Sequence, residues 1–511
     1  MTFTAIVMYP NDADIQFDES YYLTTHMPLV EKTWKSHGLI SWRINKFPNA
    51  FDGTRSAYLI MATLEWESEE SFKSALQSVS TAGVFADIPK FTNVKPVTLA
   101  GTDLTLLMTV LELFSSSISL GILQISPNMS RPLVVDVHTH VYPPSYMAML
   151  RARKTVPYIH DPASGEPRLI ILSSDDDPSI PIDERGRPVD TSYSDIDVKL
   201  AFMQQHGINS SVISLANPWL DFLDPAEAQQ WAERINNDLE ETCAQNNKSS
   251  DPDNSLPLKG RSTLFAFATL PLSAPSADII VNEIKRLKTL PHIRGVIMGT
   301  SGLGNGLDDE ALGPVWAALE ETQFLLFLHP HYGLPDEAFG GPEVTKRYGH
   351  VLPLALGFPL ETTIAVTRML LSCVFDKFPR LQILLAHSGG TLPFLAGRIE
   401  SCIMHERKFV ANGGDVPGPQ RSIWEILKTN IFLDAVVYGT AGLKAAVAAG
   451  EGTDRLMFGT DHPFFPPLNE GEKEWISVTT NYKAIDATFA GEKEAVAAVL
   501  GGNAARILKL E

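Results

Sequence analysis

Cysteine is nearly absent: Cys243, Cys373 and Cys402 are the three in 511 residues, an odd number without Cys-x-x-Cys spacing. That excludes a disulfide framework and a cysteine zinc knuckle, and it points to a reducing, cytoplasmic setting. Positive charge is scarce as well, with 41 Lys and Arg against 60 Asp and Glu and a net charge of -19. Such a surface repels nucleic acid and anionic membranes, so a small molecule is the expected partner. The amino terminus, MTFTAIVMYPNDADIQFDES, lacks the basic stretch and apolar run of a secretory leader. One apolar run, Leu104 to Ile125, reaches membrane-spanning length, but Glu112 and several serines interrupt it. It reads as a segment between domains, and no membrane association is expected.

Apolar material is plentiful at 44% of residues, and 35 Gly with 35 Pro provide for many loops. The chain is too long for one ordinary domain, so a large barrel with an attachment, or about three units, is expected. Residues 1–100 alternate strand, helix, strand, strand, helix, strand. The strands are Thr2 to Tyr9, Ile40 to Phe47, Tyr58 to Trp66 and Val94 to Leu99, rich in β-branched and aromatic residues. The helices are Asp18 to Ser36, with Asp18 as its cap, and Glu69 to Ser80. This order predicts a small ferredoxin-like α+β domain. Residues 101–130 form a linker.

From 131 to 511, eight short apolar strands alternate with helical stretches. They are Leu133 to Val137, Val212 to Leu215, Leu264 to Leu270, Ile293 to Met298, Phe324 to Leu328, Leu381 to Ala386, Ile431 to Leu433 and Arg455 to Phe458. Near-continuous apolar strands separated by helices predict a parallel sheet buried on both faces. Eight of them predict an α/β fold, a TIM (β/α)8 barrel with its active site where the strands end.

The polar residues at those ends carry the chemistry. Strand one closes VVDVHTH, and His138 and His140, two apart in an extended strand, project from the same face. His329, His387 and Asp461 each follow an apolar strand directly, in FLLFLHPHYG, ILLAHSGG and LMFGTDHPFFPP. Imidazole nitrogen and carboxylate oxygen suit zinc, with manganese as the alternative, and leave coordination positions open for catalysis. His331, His462 and His160 fall outside this register, although His331 is placed to line the pocket. His206 and His37 each precede Gly and read as helix C-terminal residues. Asp136 faces the same side as the strand-one histidines and is expected either to support them or to be a buried structural carboxylate. Trp219 and Phe222, in NPWLDF after strand two, are candidates for an aromatic pocket wall or for packing under a lid.

The strings VVDVHTHVYPP, GFPLETTIAVTRMLLSCVFDKFPRLQILLAHSGGTLPFLAGRIE and FGTDHPFFPP resemble the metal-dependent amidohydrolase superfamily, in its aminocarboxymuconate-semialdehyde decarboxylase branch. The resemblance covers about residues 131 to 511. It implies that His138, His140, His329 and Asp461 are metal ligands and that His387 is the catalytic acid/base. Binuclear members carry a carboxylated lysine at the end of strand four. Here that strand reads IRGVIMGTSGLG, which implies one metal ion. VPYIHDP, RLIILSSDDD, LAFMQQHGI, VISLANPWLDF and FLHPHYGLP resemble most the fungal 6-methylsalicylate decarboxylases of polyketide pathways. That implies non-oxidative loss of carbon dioxide from a salicylate-type acid without a redox cofactor. A metal-dependent hydrolase of a lactone, ester or amide is the alternative, because both chemistries use the same ligands.

Tyr142 to Ser194 is Pro-rich and polar and reads as a lid. It carries Arg151, Arg153, Arg185 and Arg187, and the resemblance implies that Arg187 holds the substrate carboxylate. Lys199 stands in the following helix where members of that branch often have arginine. The amino-terminal stretch FDESYYLTTHMPLVEKTW resembles the EthD-type domain of the dimeric α/β-barrel superfamily. This implies a homodimer or higher homo-oligomer and makes His26 a candidate acid/base of a second site, or a residue making only a local hydrogen bond.

Overall fold

In the computed structural model, the alternation of the first hundred residues becomes one antiparallel sheet. Its strands are β1 (Phe3–Pro10), β2 (Leu39–Lys46), β3 (Tyr58–Trp66) and β4 (Val97–Thr102), in the spatial order β2-β3-β1-β4. The structure describes residues 3–12, 14–49, 54–78, 80–102, 132–172, 175–248, 262–409, 418–469 and 471–510, so the Leu104 to Ile125 run lies outside the described residues. The chain divides into two compact units, Met1–Met129 and Ser130–Glu511.

In the first unit the inward residues of β3 are Ile60, Ala62, Leu64 and Trp66, two apart as a pleat requires. They pack with Met27, Val30 and Trp34 of the helix Met27–Trp34. Asp18 caps the first helical turn by accepting from the Tyr21 N–H at 2.9 Å. The expected single helix is in fact segmented, with a wider π-helical turn over Tyr22–His26 that brings both Tyr22 and His26 into the core. β4 starts at Val97, three residues later than its apolar run begins, because Val94 to Lys95 belong to the preceding turn.

The second unit is built on eight parallel strands. These are β5 (Val135–Val141), β9 (Ser210–Leu215), β10 (Thr263–Thr269), β11 (Ile293–Gly299), β12 (Leu325–His329), β13 (Ile383–Leu385), β14 (Ile431–Asp434) and β15 (Leu456–Met457), side by side in sequence order. The ends meet: the Val137 N–H donates to Phe458 O at 3.0 Å and the His140 N–H to His462 O at 2.7 Å, which closes the barrel. The strands are buried on both faces, and a helix follows each before the next. Pro225–Asn247, Gly313–Thr322 and Phe358–Leu371 are examples. The last continues an apolar run from Val351, with Thr362, Ala365, Val366, Met369 and Leu370 inside the core. This is a TIM barrel, as the spacing of apolar strands predicts.

The Tyr142 to Ser194 segment is more ordered than a lid loop. It folds into a helix, Pro144–Ala152, and an antiparallel sheet of β6 (Tyr158–His160), β7 (Arg168–Ile170) and β8 (Arg187–Pro188). These strands are two or three residues long, too short for an alternation to register in the sequence.

Candidate metal centre and active site

Every rim residue of the sequence pattern lies at the carboxyl ends of the barrel strands. His138 and His140 come from β5, His329 is the last residue of β12, His387 follows β13 and Asp461 follows β15. One ligand atom from each of His138, His140, His329 and Asp461 lies within 4.8 Å of the others, and all four residues are buried.

The hydrogen bonds fix which imidazole nitrogen faces the centre. Asp434 Oδ2 lies 2.6 Å from His138 Nδ1, and the Pro330 carbonyl lies 2.7 Å from His329 Nδ1, so both Nδ1 atoms carry the proton. His140 Nδ1 is 3.1 Å from Ser214 Oγ, whose own hydroxyl donates to Thr139 O, leaving that oxygen to accept from His140. In the neutral imidazoles all three Nε2 atoms are therefore bare lone pairs, and none has a hydrogen-bond partner among the described residues. Three buried lone pairs converging beside a carboxylate fit a divalent cation, since unpaired buried acceptors are otherwise costly.

Electrostatics agree. Burial, with the neighbouring His138, holds His140 well below the ordinary imidazole range, and burial with His140 does the same to His329. For His138 burial acts in the same direction, but Asp461 and Asp434 on either side outweigh it and lift it to about 10. Burial alone would raise Asp461; His138 and His387 hold it well below the carboxylate range. The cluster is a place where positive charge is stabilised, and a divalent ion replaces the proton there.

His387 is set apart from these four. Its Nε2 lies 3.6 Å from Asp461 Oδ2 and its side chain keeps 16% exposure, against 0–1% for His138 and His140. Its backbone sits at φ +52°, and Ser388 at +55°, a strained left-handed turn for non-glycine residues. Asp434 holds that turn by accepting from the His387 and Ser388 N–H groups at 3.0 and 2.7 Å. Asp434 thus supports a ligand and the His387 turn together. Sequence reasoning missed it, although it ends strand seven in IFLDA with the register of the other rim residues.

Asp136 takes the second of its two expected roles, that of a buried structural carboxylate. The register of β5 against β9 shifts between Asp136 and Thr139, and the Asp136 carboxylate turns to the His138 N–H at 3.2 Å and to Thr460 N–H and Oγ1 at 3.1 and 2.7 Å. It pins strand one to strand eight. Lys199 is fully buried behind the same strand, with Nζ against Thr139 Oγ1, 3.3 Å from His462 Nδ1 and 3.9 Å from Asp136. Desolvation lowers its pKa to about 8.

Among the lid arginines, Arg151 pairs with Asp161, Arg185 with Asp176, and Arg153 donates to Pro157 O. Arg187 is different. Its guanidinium stacks 5.1 Å from the Phe464 ring, which itself lies 5.7 Å from His140, and its Nε is buried without a partner among the described residues. Among the described residues its guanidinium makes one hydrogen bond, a long one of 3.5 Å to Tyr142 Oη. Trp219 is buried, 5.8 Å from His329 and 5.0 Å from His331 between ring centres. Phe222 instead lies under the Arg153 guanidinium at 4.4 Å, which is the packing alternative.

Strand four ends at Gly299. A Cβ there would lie 2.6 Å from His331 Nδ1 and 2.9 Å from Trp219 Cζ3, so two rings occupy the space that a side chain at this position would need. His160 pairs with Asp183 in the lid at 2.6 Å, His206 ends the helix Ile196–Gln205, and His37 ends a turn closed by Gly38 at φ +94°. In the amino-terminal unit His26 is buried, with Nδ1 2.9 Å from Asp87 Oδ2 and its ring stacked on Tyr22 at 5.4 Å.

Similarities to known proteins bear on this centre. The crystal structure of Metarhizium anisopliae IDCase in apo form is 46% identical, covers 75% of this chain and 99% of that one, and superposes with a TM-score of 0.67. Gamma-resorcylate decarboxylase of Rhizobium radiobacter is 28% identical over 56% of this chain and 81% of its own length. The 6-methylsalicylic acid decarboxylase of Aspergillus aculeatus is 26% identical over 39% of this chain and 57% of its own. The Amidohydro_2 amidohydrolase family model matches residues 135–510, which takes in every rim residue described above. The chain belongs to that amidohydrolase family, in which its named relatives are decarboxylases.

Proposed function

We propose that the protein is a metal-dependent, non-oxidative decarboxylase of a salicylate-type aromatic acid, with 6-methylsalicylate to 3-methylphenol and carbon dioxide as the reaction to test first. The observation that carries this reading is the convergence of three bare, buried Nε2 atoms on Asp461 with His387 just outside them. Its support is the kinship with named decarboxylases.

Losing carbon dioxide directly from a benzene ring would leave an aryl carbanion, so the ring carbon must be protonated first. His138, His140, His329 and Asp461 would hold the zinc or manganese ion, which would supply Lewis-acid stabilisation for the negative oxygens of the substrate. His387 Nε2 accepts the phenolic proton and passes it to Asp461 Oδ2, 3.6 Å away. Asp461 delivers it to the carbon bearing the carboxylate. The electrons of the breaking C–C bond restore the aromatic ring as carbon dioxide leaves, and a solvent proton returns to the phenol oxygen. Arg187, aimed from β8 with its unpartnered Nε, holds the departing carboxylate. Trp219 forms an apolar wall. In this reading the enzyme works in the cytoplasm as a homo-oligomer, and the amino-terminal unit is an EthD-type module in which the His26–Asp87 pair is a second candidate acid/base.

The test is to incubate the zinc- or manganese-loaded protein with 6-methylsalicylate, orsellinate and a simple aryl lactone, following carbon dioxide release and product mass. Carbon dioxide with a phenol one carboxyl lighter is the expected result. Lactone opening without carbon dioxide would replace this reading with a hydrolase.

A further inference from the structure

Beside the metal ligands, at the ends of strands two, four and five, lies a polar pair that the proton path leaves unused. His331 is 3% exposed, and neither of its ring nitrogens makes a hydrogen bond among the described residues. Its Nε2 stands 3.2 Å from Asp221 Oδ2, but without the alignment of a hydrogen bond, and Asp221 Oδ1 is also buried and unpartnered. Buried polar atoms left in this state are uncommon in folded proteins, because each forfeits its hydration for nothing.

The surroundings set this pair beside the metal ligands. Gly299 is the register partner of His329 in the sheet, and the His331 ring lies directly against Gly299. Trp219 bridges the two histidines, 5.8 Å from the His329 ring and 5.0 Å from the His331 ring. The loop is held in place from behind: Glu361 accepts from the His331 N–H at 3.0 Å and the Gly333 N–H at 2.6 Å, and Asn217 Nδ2 donates to His331 O at 2.9 Å. The ring is thus fixed by its backbone while its nitrogens make no hydrogen bond among the described residues. Asp221 keeps 22% side-chain exposure, so the pair borders an opening.

We propose that Asp221 and His331 form a specificity pair that hydrogen-bonds a second polar group on the aromatic ring, a hydroxyl or a ring N–H additional to the phenolic hydroxyl. Within the salicylate-type class an acid bearing that extra donor is therefore preferred, and 6-methylsalicylate, which lacks it, is turned over more slowly. This rests on the decarboxylase reading above. The physical basis is an asymmetry of recognition. A site built to bond a hydroxyl rejects the analogue without it strongly, because the buried partners then stay unpaired, whereas a purely apolar pocket discriminates weakly.

The experiment compares kcat/KM for 2,6-dihydroxybenzoate and 2,4-dihydroxybenzoate with that for salicylate and 6-methylsalicylate, using the metal-loaded full chain. At least one dihydroxy acid is expected to exceed both others by about 100-fold or more. In Asp221→Ala and in His331→Phe the ratio is expected to fall below about tenfold, chiefly through KM for the dihydroxy acid. Calorimetric titration of the same acids gives binding preference independently of turnover, and it decides the matter where a variant is slow. Equal rates and equal binding for the wild type, or an undiminished preference in both variants, would overturn the pair's role while leaving decarboxylation intact. Release of carbon dioxide from none of the four acids would instead remove the decarboxylase reading, and the proposal with it.

Discussion

Asp434 Oδ2 accepts from His138 Nδ1 at 2.6 Å and from the His387 backbone N–H at 3.0 Å, so one carboxylate oxygen positions both a metal ligand and the proposed proton carrier. Its other oxygen takes the Ser388 and Val436 N–H groups at 2.7 and 3.0 Å. An amide cannot reproduce this, since its nitrogen would face a donor. Asp434→Asn is expected to lower metal affinity about 10- to 100-fold, read by competition with a chromogenic chelator. Unchanged affinity would show that the His138 orientation is set elsewhere.

Removing the ligand carboxylate separates chemistry from folding. Asp461→Asn keeps the size of the side chain but loses the charge that faces His138, His140 and His387. Turnover is expected to fall about 1,000-fold or more with an unaltered circular dichroism spectrum. A chelator should likewise remove wild-type activity, and zinc or manganese should restore it. Full activity in a demonstrably metal-free sample would contradict both expectations.

Arg187→Met tests the carboxylate clamp. KM for the acid is expected to rise about tenfold or more with a smaller change in kcat, and Arg187→Lys should recover little, because an ammonium lacks the planar fork. An Arg187→Met enzyme with wild-type KM would move this role to another residue.

Lys199 offers a pH test. Burial lowers its pKa from 10.5 to about 8 in the folded chain. Between those values the unfolded chain binds more protons, so this residue's contribution to stability rises as pH increases from about 8 to 10.5. The difference in unfolding free energy, wild type minus Lys199→Met, should grow by about 3 kcal/mol across that range, measured by urea denaturation. At neutral pH the single variant is expected to be the less stable protein, because the buried Asp136 carboxyl then lacks the cationic neighbour 3.9 Å away. Adding Asp136→Asn should recover part of that loss.

The barrel and its rim were legible because both depend on local signals. An apolar strand with His or Asp at or just past its carboxyl end states its position in a parallel barrel, and His138, His140, His329, His387 and Asp461 all stand so. Asp434 gives the same signal at strand seven, but an acidic residue after a strand is less distinctive than histidine. Other features depend on contacts across long sequence distances. Asp221 and His331 meet from loops 110 residues apart, and no periodicity within either loop encodes that. Phe222 differed from Trp219 only in which neighbour the folded loop gave it. The lid's two- and three-residue strands are stabilised by one another and leave no run long enough to read.

Gly299 carries a consequence for how this site can change. The missing side chain at the end of strand four is not vacant space, since the His331 and Trp219 rings stand where a Cβ would have to go. Mutation of that glycine to lysine alone would expel two rings instead of creating a second metal site. Passage between one-ion and two-ion chemistry in this barrel therefore requires several coordinated replacements, and selection acting on single substitutions meets a barrier of packing before it meets one of coordination.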